Sequence, residues 1–362
     1  MVGYYAPEHY MEIPLWIAII SGMLPEELYK KTLMVISKEE EMYINEPTEG
    51  EYFLFSVMET NKSFVKKFLD LNREKNFNAI LGGYVNSSYF SNLEKVIYLD
   101  GLNELGKIFS INVESSPNYN LFRGEYCIPR ISLSSGCLFN CSFCSIPRIL
   151  TIKSEREILN QIDSLKPLNF RVVYLDDKTF GQASNYRLIG LLRDRISQYN
   201  PDFYGFTVQT TPSLGLRNGF LEEIAMLGVK YIELGVEIVD DRILEIFNKP
   251  YRTKHLNPVC DKARNLGLKI IPNLIMGFPN ADYRKTIEWI RDNQDIIPMA
   301  NIYFLADYED KHSDLPATAE NENDRNENKM EKSWLTPSDI IKIKEALREI
   351  FLITSNFQTD EI

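Results

Sequence analysis

The sequence is poor in histidine and cysteine, which argues against histidine-rich metal sites and against a fold held together by disulfides. It has three histidines, His9, His255 and His312, and five cysteines among 362 residues. So few cysteines do not build a disulfide framework, and small disulfide-stapled scaffolds are excluded. The protein is therefore expected to fold in a reducing cytoplasm. The apolar fraction of 44% is ordinary and supplies a substantial core.

An excess of positive charge and a long apolar run are also lacking. The net charge is −11 at pH 7, so no nucleic acid partner is expected, because phosphate binding needs clustered Lys and Arg. The longest apolar stretch, residues 13–24, contains Pro14 and is too short to span a bilayer, so we expect no membrane association. The first residues show no basic segment before an apolar core, which predicts the absence of a signal peptide.

Three of the five cysteines form a compact motif. Cys137, Cys141 and Cys144 make a C-x3-C-x2-C run, too close for comfortable disulfides but able to converge on a metal centre. Thiolates select zinc, copper(I) or iron–sulfur clusters. Because no fourth ligand is nearby, the motif favours a four-iron cluster with one open iron over a closed structural zinc site. A zinc site completed by a distant histidine is the alternative. Cys127 and Cys260 are interpreted as buried small apolar residues.

This spacing, with the aromatic Phe143 directly before the last cysteine, resembles the signature of the radical S-adenosylmethionine (radical SAM) superfamily. The resemblance implies that the three cysteines hold a [4Fe-4S] cluster whose fourth iron chelates S-adenosylmethionine, with Phe143 among the cofactor-binding residues. It implies an enzyme that produces a 5′-deoxyadenosyl radical. It also implies an α/β fold, a partial (β/α)6 barrel preceded by a small Rossmann-like domain.

Short apolar runs alternate with helical patterns in the second part of the chain, which predicts right-handed crossovers and a parallel sheet. The predicted strands are residues 131–134, 171–175, 203–208, 231–235, 269–276 and 302–305. The alternation by itself would equally permit an open doubly wound sheet. The curved six-stranded barrel is what the resemblance implies.

Four regions are predicted along the chain. Residues 1–125 form a small Rossmann-like domain that resembles the cobalamin-binding domain preceding many radical SAM domains. The domain is short and lacks the Asp-x-His-x-x-Gly run whose histidine ligates cobalt there. We favour a degenerate scaffold over cobalamin binding without a histidine. Residues 126–307 form the partial barrel, 308–334 a polar mobile linker, and 335–362 a C-terminal helix and tail.

Ligands of parallel α/β folds bind at the carboxyl ends of strands, which nominates polar residues there. Asp176 and Asp177 lie in a stretch resembling the family's D-D-x-x-F, where a carboxylate accepts hydrogen bonds from the amino group of S-adenosylmethionine. Solvated turn acids are the alternative. Gln209 could reach the ribose or methionine carboxylate. Glu237, in a family-like G-x-E segment, is expected to touch the cofactor or to pair with a nearby Lys or Arg. Gly277 lets the backbone approach a ligand.

These residues predict an enzyme that modifies a small molecule or peptide and takes electrons from a donor such as flavodoxin or ferredoxin. Domain order favours cobalamin-dependent methyl transfer as the subclass. Methylthiotransfer to tRNA is less favoured, since the sequence has no second group of three cysteines. The alternative class is a non-catalytic metalloprotein, either a colourless structural zinc module or a brown one-electron iron–sulfur carrier.

Overall fold

The computed structural model describes residues 11–13, 15–32, 47–57, 61–83, 87–90, 96–99, 101–111, 116–123, 126–144, 146–305 and 334–355. All but the last residue of the linker predicted at 308–334 lies outside these ranges, and so do His9 and His312. Apart from Met1, the chain divides into two compact units. One spans Trp16–Leu121, and the other combines Val2–Leu15 with Phe122–Ile362.

Strand β1 (Met11–Ile13) belongs to the second unit, and helix α1 (Leu15–Met23) opens the first. The remaining elements of the first unit are β2 (Tyr52–Val57), α2 (Lys62–Leu71), β3 (Asn78–Gly83), β4 (Val96–Tyr98) and α3 (Leu102–Phe109). The three strands form a parallel sheet in the order β2-β3-β4. Helix α2 buries Val65, Phe68 and Leu69 in a core shared with residues of β2 and β3, because these side chains recur at helical spacing.

The second unit is built on a parallel sheet flanked by helices. Its further elements are β5 (Cys127–Ile131), β6 (Ser134–Ser135), β7 (Thr151–Ile152), α4 (Glu155–Ser164), β8 (Val172–Leu175), α5 (Ile189–Ser197), β9 (Gly205–Thr210), α6 (Pro212–Gly215), α7 (Phe220–Met226), β10 (Val229–Glu237), α8 (Asp241–Ile246), α9 (Leu256–Asn265), β11 (Lys269–Met276), α10 (Arg284–Asp292), β12 (Asn301–Phe304) and α11 (Pro337–Thr354). The short strands β6 and β7 pair separately as an antiparallel ribbon.

The strand order of the large sheet decides between the two architectures that periodicity allows. The order is β1-β5-β8-β9-β10-β11-β12, and every neighbouring pair is parallel. From β5 onward the order follows the sequence with no reversal, as in a singly wound barrel, whereas a doubly wound sheet reverses at a switch point. The six strands from β5 to β12 in this order form a curled half-barrel, which confirms the predicted fold. The seventh strand, β1, was not predicted.

Local sequence signals set several element boundaries. Ser154 caps α4 through a capping box with Glu157, because its hydroxyl and the glutamate satisfy amide groups that the helix leaves open. Thr336 caps α11 in the same way with Asp339. Strand β8 is buried along its whole length, as its V-V-Y-L sequence indicates. Within the described ranges, no helix has both the length and the apolar character needed to cross a membrane.

Candidate functional site

The carboxyl ends of the parallel strands form one edge of the half-barrel, and the predicted site residues lie along it. The cysteine loop follows β5, and Asp176 with Asp177 directly follows β8. Gln209 and Glu237 occupy the ends of β9 and β10, and Gly277 follows β11. Since these strands are neighbours in the sheet, the fold gathers at one edge residues that are up to 140 positions apart, from Cys137 to Gly277.

The cysteine loop is shaped by backbone hydrogen bonds and one glycine. Gly136 has φ +81°, a left-handed conformation that favours glycine. The Cys137 amide donates to the Pro147 carbonyl at 3.0 Å, and the Cys144 amide to the Cys141 carbonyl at 3.2 Å. These bonds close the loop over the β6–β7 ribbon. Backbone hydrogen bonds therefore define part of the path of the loop.

The loop is docked onto the segment that follows α8. The Ser142 amide donates to the Phe247 carbonyl at 3.1 Å, and its hydroxyl donates to the Ile246 carbonyl at 3.0 Å. The Asn248 side chain donates to the Asn140 carbonyl at 2.7 Å. The Phe143 ring meets the Phe247 ring edge-on, with centroids 4.8 Å apart. The end of α8 and the residues that follow it therefore support the cysteine loop directly.

A buried ion pair lies beside this loop. Glu237 and Lys249 are 7% and 8% exposed and are joined by a hydrogen-bonded salt bridge. Burial acts to lower the pKa of the Lys249 ammonium, but the Glu237 carboxylate and the nearby Cys141 sulfur raise it overall. The ammonium lies 4.8 Å from the centroid of the Phe143 ring. A Lys or Arg partner for Glu237 is one of the two alternatives that the sequence predicts, but its pattern does not identify Lys249, which lies 108 positions after Cys141.

The two aspartates after β8 have different surroundings. Asp177 is buried and accepts hydrogen bonds from the Leu133 amide, at 3.0 Å, and from the Ser134 hydroxyl. Burial raises the pKa of its carboxyl. Asp176 is half-buried and pairs with Arg130 at 3.1 Å and Lys178 at 2.9 Å. Asp177 thus anchors the chain entering the cysteine loop, whereas Asp176 keeps a carboxylate at the open edge.

The segment after these aspartates contacts the first cysteine. The Thr179 hydroxyl lies 3.3 Å from the Cys137 sulfur, and the Phe139 amide donates to the same sulfur at 3.4 Å. The Gln182 side chain accepts from the Leu138 amide at 3.0 Å. Thr179 and Gln182 were not singled out from sequence. Thr179 lies within the D-D-x-x-F-like stretch and Gln182 lies two residues after it, and this position was the only sequence feature that could have identified them.

Gln209 and Gly277 lie at the predicted edge, and their contacts do not test the proposed cofactor roles. The Gln209 main-chain carbonyl accepts from the Phe180 amide at 2.7 Å, and its side chain is half-buried. Gly277 has φ +95°; its amide donates to the Tyr283 hydroxyl at 3.0 Å and its carbonyl accepts from the Trp334 indole at 2.9 Å. The cofactor contacts of both residues stay predictions.

A second buried carboxyl lies deeper on β10. Glu233 is 1% exposed and accepts from the Tyr174 hydroxyl at 2.9 Å, while no described donor reaches its Oε1 atom. The Asn301 side-chain Nδ2 donates to the Asn273 side-chain Oδ1 at 2.9 Å, and the Asn301 Oδ1 also lacks a described donor. Burial raises the pKa of Glu233 to about 8. A proton on Glu233 lowers the cost of burying this group.

This shift predicts a pH dependence of stability. From the ordinary value of 4.5 up to about 8, folded Glu233 holds a proton that the unfolded chain has released. Its contribution is therefore complete at low pH and is lost as pH rises through this window, by up to about 1.4 kcal/mol per pH unit. Glu233→Gln should remove that slope. Urea unfolding at pH 5.5 and 8 measures it, with exposed Glu288→Gln as the control. Parallel pH profiles for wild type and Glu233→Gln would contradict the assignment.

The donor set of the loop fits an iron–sulfur cluster. All five cysteines are described and none is in a disulfide. In the described ranges, no three His, Cys, Asp or Glu side chains are grouped to hold a single metal ion. A four-iron cluster is larger, and its cysteine ligands stand further apart. The described histidine, His255, accepts the Arg252 amide at 2.9 Å. Three soft donors on one loop suit a cluster with one iron not ligated by the protein.

The structure thus places a loop with three free cysteines at the carboxyl edge of a curled parallel half-barrel. Residues 131–292 match the family described as the radical SAM superfamily. This part of the chain is therefore a radical SAM domain. Members are enzymes that use a [4Fe-4S] cluster and S-adenosylmethionine.

Curated relatives include methylthiotransferases and methylases. The chain is 24% identical over 268 residues to the ribosomal protein uS12 methylthiotransferase RimO of Thermosipho melanesiensis, covering 66% of this chain and 62% of the relative. It is 30% identical over 168 residues to the hopanoid C-3 methylase of Methylococcus capsulatus, covering 44% and 31%. The chain thus spans less than two thirds of the length of these relatives.

Solved structures with the same fold include two cobalamin enzymes. The cobalamin-dependent S-adenosylmethionine radical enzyme OxsB matches with a TM-score of 0.50 and 15% identity, covering 74% of this chain and 46% of that one. The radical S-adenosylmethionine methyltransferase TsrM from Kitasatospora setae, with cobalamin and a [4Fe-4S] cluster bound, matches with a TM-score of 0.50 and 14% identity, covering 71% and 64%. At these identities the likeness concerns the fold.

Proposed function

We propose that this protein is a radical SAM enzyme that modifies a small molecule or a peptide. The observation that carries the proposal is the loop of three thiols at the carboxyl edge of the half-barrel, inside the matched family region. Cys137, Cys141 and Cys144 would hold a [4Fe-4S] cluster. That cluster with S-adenosylmethionine would supply radical hydrogen abstraction, with electrons from a donor such as flavodoxin or ferredoxin.

The protein's own residues would orient these groups. Phe143 packs on Phe247 and so fixes the end of the cysteine loop. Asp177 anchors the start of the loop through Leu133 and Ser134. Asp176 offers a carboxylate at the open edge, where it is suited to an ammonium group. Gln209, Glu237 and Gly277 are proposed to complete the S-adenosylmethionine site.

Methyl transfer is the favoured subclass. The methylase relatives and the fold shared with cobalamin-dependent methyltransferases support it. The described part of the first unit contains no histidine that could ligate cobalt, and its parallel sheet has three strands. We therefore propose that the unit acts as a scaffold and treat cobalamin binding as an outcome to be tested. Methylthiotransfer is less favoured, because the sequence has no second group of three cysteines.

Anaerobic reconstitution with iron and sulfide tests the proposal. The expected result is a brown protein that, once reduced, releases 5′-deoxyadenosine from S-adenosylmethionine. Cobalamin-dependent release of S-adenosylhomocysteine in addition would identify a methyltransferase, whereas deoxyadenosine alone would support the scaffold interpretation. A colourless protein that takes up zinc and forms neither product would overturn the proposal in favour of a structural metalloprotein.

A further inference from the structure

The buried ion pair beside the cysteine loop costs the folded protein free energy, because both charges have been removed from water. Glu237 and Lys249 are both more than nine-tenths buried. Removing two charges from water often costs more free energy than their mutual attraction returns, so buried pairs are weak evidence of stabilisation. Apolar residues of similar volume would suit a purely structural position. The pair therefore points to a role in the adjacent site.

The backbone holds both members of the pair in place. Strand β10 shifts register between Gly235 and Glu237, and Glu237 has φ +59°. A Cβ atom on Gly235 would lie 3.0 Å from the Glu237 carboxylate and 4.0 Å from the Lys249 ammonium. The Lys249 amide donates to the Leu244 carbonyl at 2.9 Å, and the Tyr251 hydroxyl donates to the Val236 carbonyl at 3.1 Å. These contacts fix the backbone around the pair, and the Lys249 ammonium lies 4.8 Å from the centroid of the Phe143 ring in the cysteine loop.

We propose that Lys249, whose ammonium lies against the Phe143 ring of the cysteine loop, is a positioning residue that raises the reduction potential of the cluster, with Glu237 opposing it. The inference rests on the proposed function. A cluster held by three thiolates is anionic, and one-electron reduction adds further negative charge. A fixed ammonium next to one thiolate stabilises the reduced form, and a fixed carboxylate behind it partly cancels that effect. Partners of the ligands commonly tune metal sites in this way.

Redox titration of the anaerobically reconstituted protein, followed by electron paramagnetic resonance, tests the inference. In Lys249→Met the midpoint potential should become more negative, with at least about a tenfold lower ratio of reduced to oxidised cluster at a fixed potential. Glu237→Gln should shift it in the opposite direction, and Lys249→Arg should stay near the wild type. Lys262→Met, on the outer helix α9, is the control with the same loss of charge.

Shifts of the midpoint potential in opposite directions in the Lys249→Met and Glu237→Gln variants would distinguish an electrostatic effect on the cluster from a disturbance of the fold. Equal potentials in wild type and Lys249→Met would overturn the inference, even if that variant binds S-adenosylmethionine more weakly. Shifts of the same sign in the Lys249 and Glu237 variants would also overturn it. If Lys249→Met retains no iron, the potentials of Lys249→Arg and Glu237→Gln decide. A wild-type protein that takes up no cluster refutes the proposed function itself.

Discussion

Replacement of Cys141 by alanine is expected to remove the iron–sulfur cluster and to lower deoxyadenosine production by more than about 100-fold. The two remaining thiols cannot supply three protein ligands to one cluster. The chain should stay folded, because the loop path depends on backbone bonds such as those of Cys137 to Pro147 and Ser142 to Phe247. Iron and sulfide content, circular dichroism and product formation measure the three effects.

Cys260→Ala is the matched control for this result. Cys260 is buried in helix α9, outside the cysteine loop, and burial raises the pKa of its thiol to about 12. We expect that variant to lose about 1 kcal/mol of stability for the missing sulfur atom and to keep its cluster. A Cys141→Ala protein with full iron content and turnover would refute the cluster assignment.

Replacement of Gly136 by alanine is expected to disrupt the same loop through its backbone. A Cβ atom there would lie 1.9 Å from the Ile149 carbonyl oxygen, 2.8 Å from the Ile149 carbonyl carbon and 3.1 Å from the Pro147 carbonyl oxygen. All three are backbone atoms that cannot rotate away, and φ +81° adds strain for any side chain. We expect a loss of about 2–4 kcal/mol of unfolding free energy and most of the bound iron.

Gly267→Ala is the control for Gly136→Ala, because it introduces backbone strain without steric overlap. Gly267 has φ +67°, but a Cβ atom added to it meets nothing within 4 Å. That variant should lose about 1 kcal/mol from strain and keep its iron. Chemical unfolding and iron analysis of both variants give the comparison. Equal losses of stability, with full iron in Gly136→Ala, would show that the close contact does not shape the loop.

Much of the local structure follows from local sequence. Strand β11 has the bounds that its apolar run predicts, and α4 and α11 begin where Ser154 and Thr336 supply caps. The strand alternation also places Asp176 and Glu237 at strand ends without knowledge of their contacts. Propensity, capping and periodicity act over a few residues, so they are readable from the chain itself.

The cysteine motif, the family resemblance and the order of strands and helices can all be recognised in the sequence without a structure. Only the tertiary fold shows that β1 joins the large sheet, that Lys249 lies against Phe143 of the cysteine loop and that Glu233 accepts a hydrogen bond from Tyr174. Each of these contacts joins residues that are 59 or more positions apart. They depend on how the strands curl and on which register they adopt. The curl and the register of the strands are fixed by packing of the whole sheet, and a local sequence pattern does not encode that packing.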